Sequence, residues 1–234
     1  MCYIEPHWTA FIETPYQQQG AIGSAPSLWA ERILQVPFEG LPQNPLNRTQ
    51  VREICSNMEN DVLLGYICVM AWGGQSNRFG YAQQAWANLD LIDQRLTQLR
   101  MQVLTHFEAY NLFTGENQIP GLGPAYITKL IYFFSPDPAS RQTGFYIMDQ
   151  WTGKSIDLLI GHWVVRMVGN AVANTNNYRN YQVFCENVDR IAQIMHIPGS
   201  QVEEMLFSKG GIHPWPWRQH VRDNWHQPVP FAPI

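Results

Sequence analysis

The run Ile119-Pro120-Gly121-Leu122-Gly123-Pro124 leaves the surrounding chain few options. Gly121 and Gly123 let the backbone turn tightly and approach another molecule closely. Pro124 suits the first turn of a helix, and the residues after it are strongly apolar to about Phe134. The run is therefore predicted as a hairpin between two helices, with Ile119 and Leu122 as its anchors. A helix that starts this way offers unpaired N–H groups at its first turn, which is a ready phosphate site. Gly121, Leu122, Gly123 and Ala125 are the candidate phosphate contacts. The same pattern also fits a Gly/Pro turn that holds no ligand.

The chain around this run has the spacing of a mostly α protein. Helices are predicted over Leu28 to Val36, from a cap at Asn47-Arg48-Thr49 through Met58, and from about Asn60 to Trp72. The last of these leaves almost no polar face and is expected at the centre of a core, ending at Gly73-Gly74. A short helix follows at Tyr81–Ala87, and Leu89 to Tyr110 makes one long amphipathic helix or two abutting ones. Beyond the hairpin helix, Phe145 to Met148 is short and extended, and Trp151 to Val168 is helical with a possible break near Gly161. Asn176 to Met195 is helical, and Ser200 opens a last helix to about Phe207 with the spacing of a Ser-x-x-Glu capping box. Residues 1–45 form an irregular arm and a first helix, 46–208 the helical core, and 209–234 a Trp/Pro-rich tail laid over the surface. The whole is expected to be one compact unit, with the option of two packed helical subdomains and a cleft between them.

Composition narrows the function classes. The chain has 234 residues, 45% of them hydrophobic, enough for a sizeable core. A net charge of −4 argues against a protein that holds nucleic acid by bulk attraction, so any such binding must come from a focused site and backbone amides. Nine tryptophans call for a large core or an aromatic-lined cleft. Cys2, Cys55, Cys68 and Cys185 contain no C-x-x-C pair, so no metal or other cofactor is expected. Free thiols and the absence of a secretory leader point to the cytoplasm, and no apolar run is long enough for a membrane helix.

Pro-Gly-Leu-Gly, then an apolar helix, a loop and a segment ending in Asp149, resembles the helix–hairpin–helix DNA glycosylase superfamily. The 8-oxoguanine DNA glycosylase branch is the nearest in pattern. That branch has an L-P-G-V-G hairpin and, further on, a V-P-V-D-x-H-V-like segment whose Asp is catalytic. Here the matching stretches are Ile119 to Gly123 and Tyr146-Ile147-Met148-Asp149-Gln150-Trp151, and only Asp149 is kept in the second. Leu64–Trp72 followed by Gly73-Gly74-Gln75-Ser76-Asn77-Arg78 is similar to the family's apolar helix and the loop that enters the duplex. The resemblance covers roughly residues 60–170. In lyase-type members the nucleophilic lysine stands two residues after the second hairpin glycine, where this chain has Ala125. Lys129 is one helical turn further on, about 5.4 Å along the axis and on nearly the same face. The iron–sulfur cysteines of endonuclease-type members are absent.

The resemblance implies a mostly α DNA glycosylase that excises a modified or damaged base from double-stranded DNA as a monomer, acting at the nucleoid. Oxidised guanine is the substrate by analogy, and a hypermodified foreign base fits equally. Asp149 would stabilise the positive charge that develops on the sugar, although it also fits a plain helix N-cap. Lys129 would attack C1′ and form a Schiff base, with abasic-site lyase activity as the consequence. It could equally snorkel to solvent, and Lys154 is the competing nucleophile. An extruded base needs a stacking surface and an edge reader, for which Gln75, Asn77, Trp151, His213, Trp215 and Trp217, with Trp72, are the candidates. Two other functions remain open: a non-catalytic helix–hairpin–helix DNA-binding module, and an all-α protein-interaction domain.

Overall fold

A computed structural model of the chain describes residues 3–76, 78–136, 144–208 and 214–226. Two of the sequence candidates, Asn77 and His213, lie outside the described residues. The chain divides into two compact units, one made of Met1–Gln19 with Arg141–Ile234 and the other of Gly20–Ser140. The described residues are mostly helical, with one two-stranded antiparallel sheet.

The first unit opens with α1 (His7–Ile12). No helix was expected in this arm, because six residues are too few to show periodicity or to be stable alone. What holds α1 is tertiary: Phe11 is fully buried, with its ring edge-on to Trp217 at 5.1 Å.

The second unit begins with α2 (Pro26–Trp29), which runs into a π-helical turn at Ala30–Leu34. α3 (Arg48–Ser56) starts at the expected cap: Asn47 accepts from the Gln50 N–H at 2.9 Å, and the Gln50 side chain returns the bond. α4 (Val62–Trp72) is the centre of this unit, buried without interruption from Gly65 to Trp72. It packs on α2, α3, α6 (Leu89–Met101) and α8 (Pro124–Phe134). Gly65 sets how closely they pack, since a Cβ there would fall 2.7 Å from the Phe134 ring and 3.3 Å from the Cys55 sulfur. Between α4 and α6 lies α5 (Tyr81–Trp86), and between α6 and α8 lies α7 (His106–Asn111). The stretch from Leu89 to Tyr110 is thus two helices, because Thr105 and Glu108 form a capping box that restarts the chain.

The first unit resumes with Phe145–Met148, four buried residues. α9 (Gln150–Ile160) follows, and its Thr152–Ile160 are all buried. The expected continuation to Val168 does not form. Gly161 takes a left-handed φ of +75° and ends the helix, and Asp157 then accepts from the Val164 and Val165 N–H groups at 2.8 and 3.1 Å. The residues beyond instead pair as β1 (Met167–Val168) and β2 (Ala171–Val172). α10 (Tyr178–Met195) is capped by Asn177. α11 (Gly199–Phe207) starts at Pro198 without a side-chain cap, so the Ser200 capping box is not made. Its Glu203 is fully buried instead of turned back to the helix start.

The tail also departs from expectation. Pro216 is the first residue of α12 (Pro216–Asp223), a position where its missing N–H costs nothing. Trp217 is fully buried and donates to Ser155 Oγ at 3.0 Å, which donates to the Leu206 carbonyl at 2.9 Å. That relay ties α12 to α9 and α11, so these residues are core and not a surface wrap. Among the described residues, no helix is long and apolar enough to cross a membrane, and no His/Cys/Asp/Glu group is placed to hold a metal.

Candidate active site

In the Gly20–Ser140 unit the Pro-Gly-Leu-Gly run is a tight turn that leads from a short 3-10 turn at Gly115–Asn117 into α8. Ile119 and Leu122 are buried, and the Leu122 N–H donates to the Ile119 carbonyl at 3.2 Å. Gly121 has a φ of +85°, and a Cβ there would lie 2.0 Å from the Tyr81 carbonyl oxygen, so this position admits only glycine. Gly123 is the N-cap of α8 and brings no side-chain acceptor to it. Its carbonyl takes the Tyr126 and Ile127 N–H groups, each at 3.0 Å. Among the described residues nothing accepts from the N–H of Gly123 or Ala125. Two donors therefore stand at the positive end of an eleven-residue helix, the arrangement that attracts an anion.

Lys129 belongs to the same helix and is only 6% exposed. Helical side chains lean toward the N-terminus, and this one does so fully: Nζ donates to the Ala125 carbonyl at 3.2 Å. The ammonium also lies 5.4 Å from the centre of the Tyr126 ring. Its stem crosses Gly73 at the end of α4, where a Cβ would fall 2.9 Å from Cδ and 3.2 Å from Cε. Lys129 thus folds its ammonium back onto the Ala125 carbonyl in the first turn of α8.

Gln75 follows on the chain. Its backbone is pinned, accepting from Trp29 Nε1 at 2.7 Å and donating to the Met70 carbonyl at 3.0 Å. Its side chain is 3% exposed, and neither end of the amide has a hydrogen-bond partner among the described residues. An unmet buried amide costs on the order of 1–3 kcal/mol per group, so this one is a candidate ligand contact. Trp72 is buried against Phe133, with the Arg48 guanidinium 5.4 Å from its ring centre.

In the other unit Asp149 is the N-cap of α9 and is 7% exposed. Oδ1 accepts from the Trp151 and Thr152 N–H groups at 2.8 and 3.2 Å, and Thr152 Oγ1 accepts from the Asp149 N–H at 2.9 Å. Its charged neighbour is Arg218, which no motif in the sequence marks. That guanidinium stacks 4.1 Å from the Trp151 ring and 4.5 Å from the Phe207 ring, and donates to the Phe207 carbonyl. Burial lowers its pKa, to about 10, while the Asp149 carboxylate acts against that fall and Arg222 adds to it. The 216–223 segment, read as tail, hid the helix that presents Arg218.

Residues 15–207 match the family described as "Putative 8-oxoguanine DNA glycosylase OGG-like protein". The chain belongs to this family. No curated protein and no solved structure matches it. Membership extends the likeness beyond residues 60–170 and points to DNA glycosylase chemistry with DNA as the substrate.

Within this OGG-like chain the remaining candidates fall into place differently. Trp151 is half-buried under Arg218, with Trp225 edge-on at 5.3 Å. Trp215 is buried, edge-on to Tyr16 at 5.8 Å, and Trp217 is fully enclosed with His220 stacked on it at 5.1 Å. Lys154 is buried in α9. Burial lowers its pKa, and Asp157 acts in the opposite direction.

Proposed function

We propose that the chain is a helix–hairpin–helix DNA glycosylase that removes a modified base, oxidised guanine first among them, and that Lys129 is its nucleophile. The observation that carries this is the Lys129 Nζ bond to the Ala125 carbonyl. Ala125 occupies the place of the family's lysine, and Lys129 delivers an ammonium to it from one turn away. The unpaired N–H groups of Gly123 and Ala125 would hold a DNA phosphate at the hairpin end of the same helix. As the free amine, Nζ forms a bond to C1′ while the C1′–N bond breaks and its electron pair leaves with the base. The proton lost from Nζ balances the one the base takes up. The sugar opens to a Schiff base, loses a C2′ proton, and expels the 3′ phosphate, after which water releases the lysine. The family resemblance gives Asp149, with Oδ1 fixed by the helix start and Arg218 as its charged neighbour, the role of a carboxylate that stabilises a cationic sugar. The unmet amide of Gln75 supplies a donor and an acceptor for the edge of an extruded base.

Borohydride trapping on duplexes that carry 8-oxoguanine tests this. A covalent complex should form with the native protein and with Lys154→Ala, and should be lost in Lys129→Ala. Asp149→Asn keeps a good N-cap but not the charge, so base release should fall about 10²-fold or more without unfolding. Base release by the native protein with no trapped complex would remove Lys129 as nucleophile and leave Asp149 to activate water. No release from any modified duplex would refute the enzyme.

A further inference from the structure

The chain after α2 folds back on itself and makes a groove that the proposed DNA chemistry leaves unused. The π-helical turn Ala30–Leu34 ends on Gln35, which has φ 60° and ψ 36° and donates its N–H to the Ala30 carbonyl at 2.9 Å. A π turn is wider than an α turn and is frequent at functional sites. The left-handed residue reverses the chain, so that residues 36–39 line one cavity with the turn. Its volume is about 550 Å³, within the range of ligand sites. The wall is apolar, made by Ala30, Val36, Phe38 and Leu41. Phe38 is half-buried and is steadied by Trp86, edge-on at 6.4 Å.

Two carboxylates complete the lining, Glu31 from the turn and Glu39 from the returning segment. Both are exposed, and no described residue pairs with either. Arg32, the cation next in sequence, is not part of the lining, since successive helical residues point to different faces. The groove is therefore negative and repels a phosphate backbone, so DNA is not its ligand. An aromatic ring and carboxylates beside an apolar wall suit a guanidinium, which stacks on the ring and forks onto a carboxylate. The groove is also open to solvent. A free small molecule would stay partly wet there, whereas a side chain delivered by a longer peptide needs no enclosure. We propose that the groove docks a basic, extended segment of a partner protein: an arginine lies against Phe38 with Glu31 and Glu39 as its anionic partners, and an apolar neighbour packs on Val36 and Leu41. This docking is independent of the base-excision chemistry.

Fluorescence anisotropy of a short labelled peptide of alternating arginine and leucine, titrated with the full chain, tests this. The peptide should bind, and more weakly as salt rises. The same peptide with citrulline for arginine keeps the shape without the charge and should bind about tenfold less well or worse. Glu31→Gln combined with Glu39→Gln should weaken the arginine peptide by about tenfold or more and leave thermal unfolding unchanged, because both side chains are exposed. Phe38→Leu keeps apolar bulk and should cost about two- to fivefold. Equal binding of the arginine and citrulline peptides, native affinity in the double glutamine variant, or no peptide binding at all would overturn the proposal. Spermidine binding that depends on the two glutamates, without peptide binding, would assign the groove to a free polyamine and overturn the protein partner. Duplex DNA affinity at physiological salt should differ by less than about threefold between the native protein and the double variant. A larger change would place the groove at the DNA interface and refute the docking role.

Discussion

Gly73→Ala is the sharpest perturbation of the proposed nucleophile, because it touches Lys129 without changing it. Gly73 has φ −72° and ψ −6°, ordinary right-handed helical values that alanine adopts freely. Its new Cβ would fall 2.9 Å from Lys129 Cδ, 3.2 Å from Cε and 3.1 Å from the Val69 carbonyl oxygen. Carbon atoms in good contact stand about 3.5–4.0 Å apart, so the lysine stem must retreat by about 1 Å. A lysine stem is flexible and can yield, and alanine restricts the unfolded chain by about 0.4–1 kcal/mol in favour of folding. Net stability should therefore stay within about 1 kcal/mol of native. The ammonium, however, is moved from the Ala125 carbonyl, and a 1 Å misplacement of a reacting group costs about 10²-fold in rate.

Gly74→Ala is the matched control. Gly74 has a φ of +67° and open space around it, so alanine meets nothing there but strains the backbone by about 1–2 kcal/mol. Single-turnover trapping on a modified duplex, read beside thermal unfolding, should give opposite outcomes for the two variants. Gly73→Ala should keep its stability and lose trapping; Gly74→Ala should lose stability and keep trapping. Native trapping rates in Gly73→Ala, with an unchanged fold, would refute the idea that the Lys129 stem is positioned for attack.

Two further predictions concern the Arg141–Ile234 part of the chain. Burial pushes Asp157 up from 3.8 to about 8, against the Val164 and Val165 N–H groups and the Lys154 ammonium. Its folded form holds a proton that the unfolded chain has lost, so this contribution is full below pH 3.8 and disappears as pH rises through about 8. Asp157→Asn, which keeps an acceptor for both N–H groups, should flatten that decline in urea titrations; an equal slope in both proteins would show that Asp157 is not protonated in the fold. Trp217→Ala should destabilise by about 3–5 kcal/mol, since it empties a fully buried site and breaks the link to Ser155. A loss under about 1 kcal/mol would return α12 to the status of a surface tail.

What was legible in the sequence was local. Asn47 with Gln50 marks the start of α3, and Gly123-Pro124 marks the start of α8, because each signal is satisfied within four residues of itself. What was not legible depended on partners distant in sequence. Ser200 and Glu203 have capping-box spacing, but burial of Glu203 outweighs a cap that exposed solvent would favour. α1 and α12 exist largely because Phe11, Trp217 and Ser155 enclose one another. The Pro-Trp-Pro-Trp run shows the prolines and hides the burial. The apolar pattern continues past Gly161 to Val168, but the helix does not, since a left-handed glycine ends a helix and does not bend it.

The register of Lys129 follows the same logic at the site. Aligned by position, Ala125 is the residue that matters and Lys129 is displaced. A helical side chain, however, covers surface toward the N-terminus of its own Cα, and a long one covers it a full turn away. Lys129 and Ala125 therefore compete for the same location, and the Nζ bond to the Ala125 carbonyl is the structural expression of that overlap. A lysine at 125 would project toward the hairpin glycines, whereas the one at 129 ends at the Ala125 carbonyl, with its stem against Gly73. The exchange keeps the charge in the first turn of α8, at the end proposed to hold a phosphate. It also makes the position of the ammonium depend on a glycine at the end of another helix, α4. Position 73, read at first only as a helix stop, thereby becomes part of the proposed catalytic arrangement.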